Sequence, residues 1–140
     1  MVPVFASILP RNLRSSLIFK RGYHLHRSLF YVPADNERKL SKIFSVNADT
    51  CVVELEDGVA INQKQAAREG MCRFFSENAD KVNQPGSKKN VAVRVNSPQT
   101  SLFSDDMDAV LSVGDIVKTV LIPKVSNKKD VENVRILNIE

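Results

Sequence analysis

The sequence predicts an α/β fold, four βα units that make up the N-terminal half of a (β/α)8 TIM barrel. Three observations carry that expectation. From Arg27 onward, short β-branched runs alternate with helical stretches four times. The strand runs are continuously apolar, as in a parallel sheet covered by helices, rather than alternating apolar and polar. Four such units fill the chain from residue 27 to its end, and eight would reach the ~250 residues typical of the barrel. An open doubly wound sheet fits the same alternation, but no G-x-G-x-x-G follows the first strand, so the dinucleotide-binding version lacks its main support.

The elements follow in order. Ser28-Leu29-Phe30-Tyr31-Val32 is a strand that ends at Pro33. Asp35 is placed to cap a helix whose apolar stripe is Leu40, Ile43 and Phe44, because a short acidic side chain can accept from the free amides of the first turn. Thr50 to Leu55 is the second strand. Asn62 to Asn78 reads as a helix with Ala67, Met71, Phe74, Phe75 and Asn78 inward. Pro85 and Gly86 among polar residues make Lys81 to Lys89 a loop. Val91 to Val95 is the third strand. Ser104 is placed to cap a short helix with Met107, Val110 and Leu111 inward, and Asp105 and Asp106 in its first turn favour the helix dipole. Thr119 to Ile122 is the fourth strand, stopped by Pro123, and a fourth helix from Asn127 carries Val131, Val134 and Leu137.

Composition excludes several functions. The hydrophobic share is 43% and the charged share 26%, as in a globular chain. No apolar run approaches the ~18 residues of a membrane-spanning helix, so no membrane partner is expected. Cys51 and Cys72 form no CxxC or Cys/His grouping, so neither a disulfide framework nor a zinc site is implied. The net charge of +4 is concentrated at the start. Arg11, Arg14, Lys20, Arg21 and Arg27 are unopposed by any acid before Asp35, and the rest of the chain is near neutral. A nucleic-acid partner needs a basic face on the folded part and is not expected. Residues 1–26, rich in arginine and serine and free of acid, have the composition of a mitochondrial transit peptide. That makes residues 27–140 the folded part and the mitochondrial matrix the expected location. Both histidines, His24 and His26, fall in the leader, so acid–base work in the folded part rests on carboxylates, lysine, arginine or tyrosine.

Ligands in parallel α/β folds bind at the C-terminal ends of the strands, and four polar features sit there. Tyr31 closes the first strand, Glu56-Asp57-Gly58 follow the second, Arg94 interrupts the third and Lys124 follows the fourth. Arg94 between Val93 and Val95 needs a partner for its charge. Glu54 or Glu56 would satisfy it structurally, and a substrate carboxylate or thioester oxygen would satisfy it functionally. Arg38 and Lys42 are four residues apart and so share a helix face, which by spacing alone is a solvated surface.

Four blocks of this sequence together resemble the HpcH/HpaI aldolase and citrate lyase beta-subunit family. They are Arg27-Ser28-Leu29-Phe30-Tyr31-Val32-Pro33-Ala34-Asp35-Asn36, Glu54-Leu55-Glu56-Asp57-Gly58-Val59-Ala60, Val93-Arg94-Val95-Asn96 and Leu121-Ile122-Pro123-Lys124-Val125. The resemblance implies a (β/α)8 barrel, usually homotrimeric, with bound Mg2+, that cleaves a 3-hydroxyacyl-CoA such as citramalyl-CoA into acetyl-CoA and pyruvate. Condensation of glyoxylate with acetyl-CoA, a malate synthase activity, is an implied side reaction. It further implies that Arg94 binds the acyl oxygens, that Tyr31, Arg38 and Lys42 contact CoA, and that Glu56 and Asp57 frame the metal and Arg94 as members of the catalytic set. The family's direct metal ligands and its catalytic aspartate are expected beyond residue 140. Ala34 stands where the family usually has glycine, Glu54 where it has aspartate, and Arg38 where lysine is common. The alternative is a catalytically inactive half-barrel that binds CoA. An isolated half-barrel is also expected to leave the edge after its fourth strand unpaired, and hence to be poorly soluble or silent.

Overall fold

The structure, a computed structural model, describes residues 4–7, 27–84 and 89–136. Five strands, β1 (Val4–Ser7), β2 (Leu29–Pro33), β3 (Thr50–Glu54), β4 (Asn90–Arg94) and β5 (Thr119–Ile122), form one sheet in the order β1-β5-β4-β3-β2. Strands β2 to β5 are parallel, and the register sets Pro33 beside Glu54, Glu54 beside Arg94 and Arg94 beside Leu121. They alternate with helices α1 (Glu37–Leu40), α2 (Lys64–Glu77), α4 (Leu102–Ser112) and α5 (Lys128–Ile136), while a single turn, α3 (Ala79–Val82), extends α2. These are the four strand–helix units that the alternation of the sequence predicts.

The two-residue period of the strands divides the sheet into two faces. Cys51, Val53, Val91, Val93, Val120 and Ile122 face the helices, where they meet Ala67, Met71, Phe74 and Phe75 of α2 and Phe103, Met107 and Val110 of α4 in one continuous core. The side chains in between, Val52, Ala92 and Leu121 with Leu29, form a second and smaller cluster on the opposite face. Burying a side chain such as Phe75 or Met71, each 0% exposed, contributes about 1.5–3 kcal/mol. Glu54 and Arg94 share the parity of the smaller cluster and stand at its C-terminal rim.

Several element boundaries differ from the sequence expectation. Asn36, not Asp35, caps the first helix: its Oδ1 accepts from the Lys39 amide at 3.0 Å. That helix is one turn long, and a 3-10 turn at Ile43–Ser45 carries the rest of the stripe, with Leu40 and Ile43 buried. Helix α4 begins at Leu102 after Ser101, ahead of the expected Ser104 cap, because the earlier start brings Phe103 onto the buried face with Met107 and Val110. The expected loop at Lys81 starts inside α3, and Pro85 and Gly86 lie outside the described residues, as does Leu137.

The edge after the fourth parallel strand is not open. β1 pairs antiparallel with β5 in the register Val4↔Ile122 to Ser7↔Thr119, which corrects the expectation of an unpaired edge. The N–H and C=O groups of an edge strand bind any extended segment within reach, and the apolar Val4-Phe5-Ala6 supplies one. A segment set apart by composition thus contributes a strand, and residues 1–3 and 8–26 lie outside the described residues. No described helix is long and apolar enough to cross a membrane.

Candidate functional site

The strand ends converge on Arg94. Its Nε lies 2.8 Å from Glu54 Oε2 and 3.1 Å from Oε1, and its NH2 lies 3.0 Å from Glu56 Oε2 and 3.5 Å from Asp57 Oδ2. The Tyr31 ring lies under the guanidinium, 5.0 Å from centroid to Cζ, a cation–π contact that leaves the ring's negative face on the charge. Lys124 approaches from the fourth strand end, 2.9 Å from Glu56 Oε1 and 3.3 Å from Asp57 Oδ1. Three carboxylates and two cations thus meet where four parallel strands end. Tyr31, Glu56, Asp57, Arg94 and Lys124, the polar residues expected at the four strand ends, come together here, whereas Arg38 and Lys42, which the resemblance groups with Tyr31, do not.

Both structural partners considered for Arg94, Glu54 and Glu56, are used at once. Glu54 is buried, and burial pushes its carboxyl above the ordinary range against the lowering pull of Arg94. Burial acts to lower the Arg94 guanidinium, but the charges of Glu54 and Glu56 outweigh it and the net shift is upward. Hydrogen bonds to Glu56 and Asp57 raise the Lys124 ammonium. The Glu56 carboxylate is buried, and each of its oxygens stands at ion-pair distance from a cation, Oε2 from Arg94 and Oε1 from Lys124. Lys124 adopts φ +54, a left-handed conformation that costs a non-glycine residue energy and that clusters at functional sites.

Arg38 and Lys42 lie one turn apart, with Ser41 and Lys42 still in the right-handed helical region although α1 itself ends at Leu40. Arg38 sits in α1, and Lys42 lies past its end at the start of the 3-10 turn. Both are exposed, and among the described residues no contact joins them to the Arg94 cluster. A cleft of about 400 Å³ between the β2–α1 loop and α2, lined by Asp35, Asn36, Glu37, Glu69, Gly70 and Arg73, shares no residue with that cluster.

A second polar group lies directly beneath. Lys64 Nζ donates to the carbonyls of Leu55 and Glu56 at 2.6 and 2.7 Å and to Asn96 Oδ1 at 2.9 Å. The Asn96 backbone amide and Nδ2 both donate to Asp106 Oδ2, at 2.7 and 2.6 Å, and Nδ2 also reaches the Leu55 carbonyl. Arg68 NH1 lies 3.1 Å from Asp106 Oδ1. Sequence reasoning missed this group and assigned Asp106 only to the helix dipole. Two signals could have found it. Asp106 falls on the buried stripe of α4 with Phe103, Met107 and Val110, and Lys64 falls on that of α2 with Ala67, Met71 and Phe75. A charged residue on an apolar stripe requires a buried partner.

With this geometry in view, the relatives can be compared. The family model for HpcH/HpaI aldolase/citrate lyase matches residues 27–138. The chain belongs to that family. It is 34% identical over 110 residues to the human mitochondrial citramalyl-CoA lyase, covering 79% of this chain and 31% of the relative. It is 37% identical over 111 residues to a (3S)-malyl-CoA thioesterase of Cereibacter sphaeroides, covering 79% and 36%. Its fold matches the Mycobacterium tuberculosis protein CitE, solved in complex with magnesium, acetoacetate and coenzyme A, with a TM-score of 0.58 and 27% identity over 76% of this chain and 35% of that one. The chain therefore spans about a third of the length of the relatives it matches. Its four parallel units correspond to a portion of the citrate lyase beta barrel.

The residues present do not make a magnesium site. Among the described residues no three His, Cys, Asp or Glu side chains form a group that could hold a metal. Glu56 already stands about 3 Å from two cations, which would repel a third. No chemical step is therefore assigned to a metal here.

Proposed function

We propose that this chain forms the acyl-gripping and CoA-binding part of a carbon–carbon lyase acting on a 3-hydroxyacyl-CoA, citramalyl-CoA in the first instance. The single observation that carries the reading is Arg94. Its guanidinium is fixed from behind by Glu54 and Glu56 and from below by Tyr31, yet keeps 21% of its side chain exposed at the strand ends. Donors held this way meet a carboxylate or a developing oxyanion without reorganising during the reaction.

Cleavage of citramalyl-CoA removes the proton of the 3-hydroxyl and breaks the adjacent carbon–carbon bond. The hydroxyl carbon becomes the ketone of pyruvate. The bonding pair passes to the carbon next to the thioester, and the resulting enolate takes a proton to give acetyl-CoA. Arg94 neutralises the acyl carboxylate and offsets charge on the departing fragment, while Glu56 and Asp57 orient Arg94 and Lys124. Arg38 and Lys42 contact the CoA phosphates, where exposed flexible cations suffice. Magnesium ligands and the base that takes the hydroxyl proton are assigned outside this chain. A removable leader at residues 1–26, whose loss would take β1 with it, and a mitochondrial matrix location belong to the same reading, supported by composition and by the mitochondrial relative at 34% identity. Assembly as a homotrimer and a malate synthase side activity belong to it on the family resemblance alone.

The reading predicts that the chain alone binds acetoacetate and CoA. Titration calorimetry is expected to find acetoacetate binding lost in Arg94→Gln, and CoA binding weakened in the double variant Arg38→Ala, Lys42→Ala. Incubation with citramalyl-CoA and Mg2+, followed by enzymatic detection of pyruvate, separates a lyase from a silent binding module. Acetoacetate binding that is unchanged in Arg94→Gln would overturn the proposal.

A further inference from the structure

Lys64 opens helix α2, and its side chain runs back beneath the strand ends. At 7% exposure it is almost withdrawn from water, and its three N–H bonds are matched by three acceptors: the Leu55 carbonyl, the Glu56 carbonyl and Asn96 Oδ1. Among the described residues no carboxylate forms an ion pair with it. Burying an ammonium among neutral acceptors is costly, and burial lowers its pKa against the pull of Asp106 and Glu54. A methionine would fill the same space but leave the two carbonyls and Asn96 Oδ1 without this donor, so the ammonium is held there by what it ties together.

The Glu56 backbone is held on both sides: its amide donates to Glu54 Oε1 at 2.5 Å and its carbonyl accepts from Lys64. On this fixed backbone the Glu56 side chain brings its oxygens to 3.0 Å from Arg94 and 2.9 Å from Lys124. The third acceptor, Asn96, follows the strand that carries Arg94 and is itself anchored through Asp106 to Arg68. One ammonium thus couples the end of β3 to the end of β4, from below the cluster.

We propose that Lys64 is a positioning residue: it ties the Leu55–Glu56 carbonyls to Asn96 and thereby fixes the Glu56 carboxylate against Arg94, setting the direction in which the guanidinium faces a substrate carboxylate. This rests on the reading of Arg94 as the acyl grip.

The test uses the full chain labelled with 15N and two readouts, the side-chain Nε–H resonance of Arg94 and the affinity for acetoacetate. Lys64→Met is expected to shift or broaden the Arg94 Nε–H signal and to weaken acetoacetate binding roughly ten- to hundred-fold, as misplacing a preorganised group does. Val110→Ala, a core truncation in α4, serves as the control: it lowers the melting temperature and leaves both readouts at their wild-type values. Should Lys64→Met fail to fold, Asn96→Ala removes one acceptor and is expected to move both readouts in the same direction by less. An Arg94 signal and affinity unchanged in the folded Lys64 or Asn96 variant would overturn the proposal, as would equal changes in Val110→Ala. If the wild-type chain takes no acetoacetate, the functional reading falls, and the Nε–H signal alone decides whether Lys64 holds the cluster.

Discussion

Replacing Arg94 by methionine removes the charge while keeping most of the side-chain length, and its cost can be worked from the contacts. Glu56 and Asp57 keep Lys124 as a cation in the variant, at 2.9 and 3.3 Å. Glu54 does not: Arg94 at 2.8 Å is its cation, and the Glu54 side chain is only 3% exposed. Removing one partner of a buried pair costs about 3–5 kcal/mol, because a charge is left without compensation. Arg94 is itself partly exposed and Glu54 retains its hydrogen bond from the Glu56 amide, so the loss belongs at the lower end, about 3 kcal/mol near neutral pH. With a urea slope of ~2 kcal/mol per molar, the unfolding midpoint read by circular dichroism falls by roughly 1.5 M. The pH dependence identifies the cause. The Glu54 carboxyl is raised in the folded state even beside Arg94, and without the cation it rises further. A carboxyl raised on folding binds more protons in the native than in the unfolded state, so stability falls as pH rises from the unfolded value of ~4.3 through the folded one. The deficit of Arg94→Met is therefore largest near neutral pH and shrinks as pH falls toward ~4, where Glu54 is protonated in both states. A deficit of the same size at both ends of that range would refute the argument from Glu54.

Three further outcomes test other parts of the structure. A Cβ on Gly70 would stand 2.3 Å from the Ala34 carbonyl oxygen, and backbone cannot yield as a flexible side chain can. Gly70→Ala is thus expected to lose about 1–3 kcal/mol in urea unfolding, and wild-type stability in that variant would contradict the close approach of α2 to the β2–α1 loop. Lys124→Gly relieves the left-handed backbone at φ +54, whereas Lys124→Ala loses the same charge without that relief. The glycine variant is expected to melt above the alanine one, and the reverse order would count against strain. Leu121 turns its carbonyl to Val95 of the neighbouring strand segment, so Val120 and Ile122 turn their amides to β1. Ala6→Pro is expected to speed hydrogen exchange at Val120 and Ile122 and to leave Leu121 unchanged. Equal exchange before and after the substitution would show that β1 does not cover this edge.

What the sequence disclosed, and what it hid, follows from the range over which each signal acts. Thr50 to Glu54 could be read as a strand because every residue of a parallel strand covered on both faces is buried, so the run is apolar without interruption apart from its polar ends. Arg94 could be read as special for the same reason, as a charge set in such a run. Glu56, Asp57 and Tyr31 could be placed with it because parallel strands bring all their C-terminal ends to one rim, whatever the helices between them do. Helix starts depend on choices made within one turn, and there the competing signals were close. Ser104-Asp105-Asp106 makes as plausible a cap and first turn as Ser101, until Phe103 is required on the buried face. The first helix ends at Leu40 after one turn, where the apolar stripe Leu40, Ile43 and Phe44 had suggested a longer one. The Lys64–Asn96–Asp106–Arg68 group spans positions 32 and 38 residues apart in sequence. No local spacing encodes such pairings, so Lys64 and Arg68 drew no attention and Asp106 was read only against the helix dipole. The buried stripes of α2 and α4 are local, however, and each contains one charge where an apolar residue belongs. Two charges of opposite sign on the inner faces of helices that pack together on one sheet imply a polar link between them, because neither could be buried alone. That link passes directly beneath the strand ends that hold Arg94, which ties the least legible part of this sequence to the part that was read most readily.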